Sequence, residues 1–357
     1  MARVRFTNIG ISAIATTVGD KEIFIDDEQV KFGFDEKTLR RLKKTIGLGT
    51  RFVVDSSVCT SDLCVQSAES IFDSGKVDKD EIDAVLFVTQ SPDYRAPSTA
   101  IIVQNRLKLG TDVVAYDINL GCSGFVYGLY TAFSMVNSGL NKVLLLVGDV
   151  NHYFTQQDRS FTPLMGDAGG AIVIERMETE DSFFVMHSDG SGYEHLIIPD
   201  GGARKECTED SIIPTLQDDG CIRRGCDLYM NGAEVFNFAV KTVPKLLDEL
   251  FEYGSFDKDD VDYFVLHQAN SYILKNISNS LGLGEDKLPF QTGLVYGNQN
   301  SASIPGTISG FLNAQYSEKQ LTSVFAGFGI GLSWAACKVN TDNIFSPKVQ
   351  FYKEKNE

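Results

Sequence analysis

The chain has 357 residues, 43% of them hydrophobic and 22% charged, enough for two ordinary domains or one large double unit. A net charge of −16 leaves no basic field to attract phosphates, which argues against nucleic acid and anionic membrane surfaces as partners. No run reaches bilayer-spanning length, no apolar leader opens the chain, and the seven cysteines contain no CxxC pair, so the expectation is a reduced cytoplasmic protein with no metal site.

Taken in chain order, the densest basic run comes first, Arg40-Arg41-Leu42-Lys43-Lys44. An amphipathic pattern over Asp62–Ser74 predicts a helix, and Ala84–Val88 a buried strand. The apolar run Val113–Tyr116 reads as a strand, and the stretch from Phe125 to Gly139 as a helix. Lys142–Val147 and Ala171–Ile174 are continuously apolar, which predicts mostly parallel sheets covered by helices on both faces. Between these strands, Gly166-Asp167-Ala168-Gly169-Gly170 lacks the spacing of a nucleotide fingerprint and reads as tight packing. A polar break at Met177-Glu178-Thr179-Glu180 marks a seam. Beyond it come a helix pattern over Val235–Tyr253, the strand Tyr263–Leu266 and a glycine-rich strand from Gly327 to Trp334.

Two of these segments are alike. Phe72–Asp83 and Phe251–Asp262 are offset by 179 residues, about half the chain, and share six of twelve positions. Each follows an amphipathic helix pattern and runs into an apolar strand, so the chain reads as two copies of one α/β unit, residues 1–178 and 179–357.

Three residues stand out at the carboxyl ends of strands, where such sheets gather ligands. Cys122 lies in Asn119-Leu120-Gly121-Cys122-Ser123-Gly124, at a strand-to-helix turn whose N–H groups favour a thiolate. The other cysteines lack that setting, and Cys64 and Cys337 read as core. His267 follows a buried strand in Val265-Leu266-His267-Gln268-Ala269-Asn270; a lone histidine there is more often a structural group, but the chain has only four histidines. Asn298, after Gly297, is by itself a turn or capping residue. The strand Gly327-Phe328-Gly329-Ile330-Gly331 is either bulged or built for close backbone approach, adding an N–H to that of Cys122 in an oxyanion hole. A thiol, an imidazole and an amide together point to covalent thioester chemistry.

These motifs resemble the β-ketoacyl-acyl-carrier-protein synthase III family of the thiolase-like condensing enzymes. The likeness rests on Gly-Cys-Ser-Gly at Cys122, His-Gln-Ala-Asn at His267, Gly-Asn-x-x-x-Ala-Ser at Asn298, the Gly-Phe-Gly-x-Gly strand and the Asp158-Arg159 to Gly169 region. It implies a thiolase-like five-layered αβαβα sandwich of two duplicated halves, acting as a homodimer. It also implies a decarboxylating Claisen condensation. An acyl group held on Cys122, with oxyanion contacts from the N–H groups of Cys122 and Ile330, would meet the enolate of a malonyl thioester stabilised by His267 and Asn298. The implied substrates are acyl-coenzyme A or acyl carrier protein thioesters and malonyl carrier protein, with no cofactor. Ala96, Arg159 and Asn270 become substrate-binding candidates, and Arg40, Arg41, Lys43, Lys44, Lys241 and Lys275 carrier-docking candidates.

The sequence departs from the family pattern at three places. Arg41 and Thr45 stand where bacterial members carry a tryptophan and an arginine for the coenzyme A adenine. Ala96 stands where a phenylalanine closes the partner's acyl pocket, and Tyr272 where an arginine docks the carrier. The alternative reading passes the acyl group to an oxygen or nitrogen nucleophile without decarboxylation. A hydrolytic cysteine enzyme and a non-catalytic carrier-binding subunit are the other rivals.

Overall fold

The apolar runs become the strands of two stacked sheets in the computed structural model, which describes residues 2–154 and 157–354. The chain opens with β1 (Ala2–Phe6) and β2 (Ile9–Val18); β3 (Lys21–Phe24) then pairs with β4 (Thr50–Val53) across an intervening helix, α1 (Glu36–Thr45). Next come α2 (Thr60–Asp73), β5 (Ala84–Val88), α3 (Thr99–Arg106), β6 (Val114–Ile118), α4 (Gly124–Asn137), β7 (Lys142–Asp149), β8 (Ala168–Arg176) and β9 (Ser182–Ser188). A loop region holds two short pairs, β10 (Leu196–Ile197) with β13 (Tyr229–Met230), and the hairpin of β11 (Thr215–Leu216) and β12 (Ile222–Arg223). The long helix α5 (Gly232–Gly254) leads to β14 (Tyr263–Leu266) and α6 (Ser271–Leu281). Three short helices follow, α7 (Thr292–Val295), α8 (Ser303–Thr307) and α9 (Asn313–Glu318), and the last strands are β15 (Gln320–Gly329), β16 (Ser333–Asp342) and β17 (Gln350–Phe351).

One sheet runs β17-β2-β8-β7-β5-β6 and the other β1-β9-β16-β15-β14. Three cores define five layers. Val65, Ala68 and Val103 of α2 and α3 pack on the outer face of the six-stranded sheet. Phe125, Leu129 and Phe133 of α4 lie between the sheets with Ile304 of α8. Val243, Leu247 and Ile273 of α5 and α6 cover the far face of the five-stranded sheet. This is the αβαβα sandwich expected from the resemblance.

The sheets are mixed rather than mostly parallel. β5 pairs in parallel with β6 and β7, and β14 with β15, but β7/β8, β8/β2, β15/β16 and β16/β9 are antiparallel. The apolar runs report that both faces of a strand are covered, which both directions satisfy. Residues 177–181 link β8 of one sheet to β9 of the other, at the polar break. The chain ends cross that divide: β1 pairs with β9, and β17 with β2.

Candidate active site

Cys122 sits on the turn between β6 and α4. The turn is tied to the other half by a Ser123 Oγ–Ser333 Oγ hydrogen bond of 2.7 Å. Glycines of β15 make the approach possible: a Cβ on Gly329 would stand 2.7 Å from Cys122 Cβ and 2.9 Å from its Sγ, and one on Gly327 would lie 2.9 Å from the Cys122 carbonyl oxygen. The strand is therefore glycine-rich because backbone must lie against the thiol. The N–H groups of Ile330 and of Cys122 itself reach the sulfur and favour its anion, but burial outweighs them and pushes the thiol up to about 12. Burial beside β15 thus works against the anion that the N–H groups of the turn favour.

His267 stands at the end of β14 and is 2% exposed, which pushes its pKa down to about 4 and leaves it neutral near pH 7. Its Nδ1 lies 3.1 Å from the Asn300 carbonyl oxygen and 2.9 Å from Ser303 Oγ. Ser303 spends its own hydroxyl hydrogen on the same carbonyl, at 2.7 Å, so Nδ1–H is the donor and Nε2 keeps a lone pair. Asn298 is held by backbone: its N–H donates to Leu164 O at 2.7 Å, and its carbonyl accepts from Gly166 N–H at 2.9 Å. Its side-chain oxygen accepts the Asn300 N–H at 3.0 Å, and its amide nitrogen makes only a 3.4 Å contact with Ala269 O.

All three residues line one cavity of about 70 Å3, reached from both halves. The rest of its wall is mainly apolar and includes Phe154, Phe161, Leu196, Leu228 and Phe238. Sequence reasoning missed Asn300 and Ser303. Asn300 adopts φ 50° and brings its side-chain oxygen within 3.8 Å of Cys122 Sγ. The clue was present in Asn298-Gln299-Asn300-Ser301-Ala302-Ser303, where a second asparagine and a serine three residues on repeat the polar spacing. Gln90, which also lines the cavity, gave no sequence signal.

The other candidates scatter. Asn270 lines the cavity, but its side chain caps α6 by accepting Ile273 N–H at 2.9 Å. Arg159 is exposed and lines a neighbouring cleft instead. Ala96 lies on an exposed turn before α3, outside the wall of the Cys122 cavity. Arg40, Arg41, Lys43 and Lys44 are exposed on α1, Lys241 on α5 and Lys275 on α6. Cys64 and Cys337 are fully buried, as read. Gly169 and Gly166 do pack tightly: a Cβ on Gly169 would come within 2.7 Å of Leu63. Among the described residues no cluster of three or more His, Cys, Asp or Glu side chains could hold a metal ion, and no helix is long and apolar enough to cross a membrane.

Comparison with known proteins agrees with this geometry. Residues 116–190 match the family described as 3-oxoacyl-[acyl-carrier-protein (ACP)] synthase III, and residues 251–341 match its C-terminal part. A Campylobacter jejuni chain, provisionally named 3-oxoacyl-[acyl-carrier-protein] synthase 3, is 35% identical over 99% of this chain and 100% of its own length. A β-ketoacyl-[acyl-carrier-protein] synthase III from Natranaerobius thermophilus is 32% identical over 82% of this chain and 88% of its own. The crystal structure of a 3-oxoacyl-(acyl-carrier protein) synthase from Burkholderia xenovorans superposes with a TM-score of 0.89 at 32% identity, covering 98% of each chain. With the sandwich, the cavity and these likenesses in agreement, the chain belongs to the 3-oxoacyl-[acyl-carrier-protein] synthase III family.

Proposed function

We propose that the chain loads an acyl group onto Cys122 and condenses it, with loss of CO₂, with a malonyl thioester. The observation that carries this reading is the meeting of Cys122 from one half with His267 and Asn298 from the other on one apolar-walled cavity. In loading, Cys122 Sγ bonds to the acyl carbonyl carbon and its proton leaves on the departing carrier thiol, so charge balances. The N–H groups of Cys122 and Ile330, which already reach the sulfur, are positioned to receive the tetrahedral oxyanion.

Decarboxylation breaks the bond from the malonyl methylene carbon to its carboxylate, and the electron pair becomes an enolate. Asn298 donates to the enolate oxygen through the amide hydrogens that its neighbours leave nearly free. The condensation consumes one proton, and His267 Nε2, an acceptor in the resting site, is where that proton enters. The malonyl anion favours the imidazolium that burial alone disfavours. The imidazolium donates to the enolate oxygen; once the carbon–carbon bond forms, it returns the proton to the expelled Cys122 thiolate. A thioester is an activated carbonyl by itself, so this sequence calls for no redox group or metal.

The remaining parts of the reading follow the same logic. Residues 1–178 and 179–357 act as duplicated halves, and the protein works in the cytoplasm on acyl and malonyl thioesters of coenzyme A or acyl carrier protein. A homodimer is supported by the edge strand β6, which leaves Val114 45% and Tyr116 37% exposed, beside Ile101 of α3 at 48%. An unpaired apolar edge is a template for a second copy. Intact-mass measurement after incubation with an acyl thioester, with and without malonyl carrier protein, tests the function. An adduct on Cys122 that malonyl carrier protein discharges with CO₂ release is expected; an adduct discharged only by an alcohol or amine would replace condensation with simple acyl transfer.

A further inference from the structure

Beyond β5 the chain turns around one fully buried carboxylate. Asp149 Oδ1 accepts the Gln90 N–H at 2.8 Å, the Ser91 N–H at 3.1 Å and the hydroxyls of Thr89 and Ser91 at 2.9 Å each. Four donors on one oxygen fix residues 89–91, and with them the direction in which the Gln90 side chain leaves the sheet. That direction is into the Cys122 cavity, whose wall Gln90 joins.

Gly121 makes room for that side chain. A Cβ there would collide with Gln90 Oε1 and stand 3.0 Å from Ile330 Cγ2, so the residue before the nucleophile must lack a side chain for the amide to lie against it. Gly121 is bonded to Cys122, and the Ile330 N–H reaches the sulfur. The Gln90 amide, wedged between these two residues, therefore stands beside the first carbons of an acyl group on Sγ. Much of the remaining wall is apolar, with Phe154, Phe161, Leu196 and Leu228.

Among the described residues the Gln90 amide has no hydrogen-bond partner, since only its backbone N–H is engaged. The other polar groups of the wall are committed. Cys122, His267 and Asn298 serve the reaction, Asn270 caps α6, and Asn300 holds His267 through its carbonyl and meets the thiol through its side chain. An alkyl chain that fills the cavity strips water from the Gln90 amide and returns nothing, whereas a chain with a hydroxyl restores a hydrogen bond. A glutamine both donates and accepts, so it meets a hydroxyl in either sense. Methionine would fill the same volume without a polar group to satisfy, so the amide is a cost to this pocket unless the ligand uses it.

We propose that Gln90 selects acyl groups that carry a hydroxyl on the carbons next to the thioester carbonyl, a substrate class that the apolar wall by itself would disfavour. The inference rests on the reading of Cys122 as the acylated nucleophile and leaves that step as it is: Sγ bonds to the acyl carbon, and the donor thiol departs with the proton. It is tested by the rate of Cys122 acylation from the pantetheine thioesters of butyrate, 2-hydroxybutyrate and 3-hydroxybutyrate, which differ in one oxygen only. One of the hydroxylated donors should load at least about tenfold faster than the butyryl donor, because a buried hydrogen-bonding group rejects an analogue that leaves it unpaired. Gln90→Met should erase that preference by speeding butyryl loading and slowing the hydroxylated donor. Butyryl loading as fast as both hydroxylated donors in the parent would overturn the inference whatever the variant does. A preference that survives in a folded Gln90→Met protein would put the selecting group elsewhere and overturn it as well. No adduct from any donor would remove the reading of Cys122 and this inference with it.

Discussion

The segment from Phe72 to Val88 and the segment from Phe251 to Leu266 follow one path: the end of a helix, a left-handed residue, a single 3-10 turn and a buried strand. The left-handed position is Gly75 at φ 69° in one and Ser255 at φ 51° in the other, and an aspartate, Asp78 or Asp257, caps the 3-10 turn in both. Past the strand the two copies diverge. In the first, β5 is flanked by β6, and the chain turns from β6 into α4 with Cys122 on the turn. In the second, β14 is the sheet edge, and residues 282–302 loop back to deliver Asn298 and Asn300 beside His267. The two segments thus share one local frame, and the chain beyond each brings Cys122 from one side and His267, Asn298 and Asn300 from the other to a single cavity.

Cys122→Ala breaks the first side outright. Acyl loading should fall to nothing detectable by intact mass, since among the described residues no other thiol faces the cavity. Removing one buried sulfur costs on the order of 1 kcal/mol, so an unchanged far-ultraviolet spectrum should accompany the loss. Persistent acylation would move the nucleophile elsewhere.

Breaking the second side should leave the first intact. His267→Ala and Asn298→Ala should each slow malonyl decarboxylation about 10²–10³-fold, the usual cost of one preorganised donor, while acyl loading continues. Release of labelled CO₂ from malonyl carrier protein, measured on pre-acylated enzyme, checks this. Parent-rate decarboxylation in either variant would take that residue out of the chemistry.

What could be read in advance follows from which features are local. The likeness of Phe72–Asp83 to Phe251–Asp262, the turn carrying Cys122 and the glycine strand were legible because each is a contiguous pattern set by backbone geometry. Strand direction was not, since an apolar run such as Lys142–Val147 records coverage and not its neighbours. Nor was the setting of the thiol: the helix start argues for an anion, and the close approach of Gly327 and Gly329, whose burial works against it, comes from a strand more than 200 residues away. Asn300 and Ser303 were passed over because they act through a carbonyl and a hydroxyl on His267, contacts that residue types alone do not announce.

Burial of His267 should also appear in stability. Its pKa is about 4 folded against 6.5 unfolded, so between those values the unfolded chain binds the extra proton. The contribution is fully present above about pH 6.5 and is lost as pH falls toward 4. At ~1.4 kcal/mol per unit, acidification to pH 4.5 should remove about 2–3 kcal/mol through this group alone. Denaturant midpoints of parent and His267→Gln from pH 7.5 to 4.5 should converge by that amount. Asp149, whose pKa burial raises to about 6, titrates in the same range with the opposite sign, and the comparison cancels it because both proteins carry it. Parallel curves would mean the imidazole is solvated.

The smallest effect concerns the edge where two copies would meet. Ala96 is exposed on the turn before α3, on the sheet side that ends in β6, and touches none of its own chain's acyl cavity. If the β6 edges of two chains join, as the family resemblance implies, this turn would close the cavity of the neighbour, and the small side chain would leave room for a longer or bulkier acyl group. Each methylene buried there is worth about 0.8 kcal/mol, or roughly fourfold in loading rate. Parent enzyme should therefore load medium or branched acyl groups faster than acetyl. Ala96→Phe should flatten or reverse that series while leaving acetyl loading nearly unchanged, because a ring takes the volume of several methylenes and does not touch the thiol. The readout is the ratio of loading rates across a chain-length series, paired with sedimentation to confirm that both proteins associate equally. An unchanged ratio in an intact dimer would mean that the pocket is closed from within one chain, and that the two halves need no second copy to define their substrate.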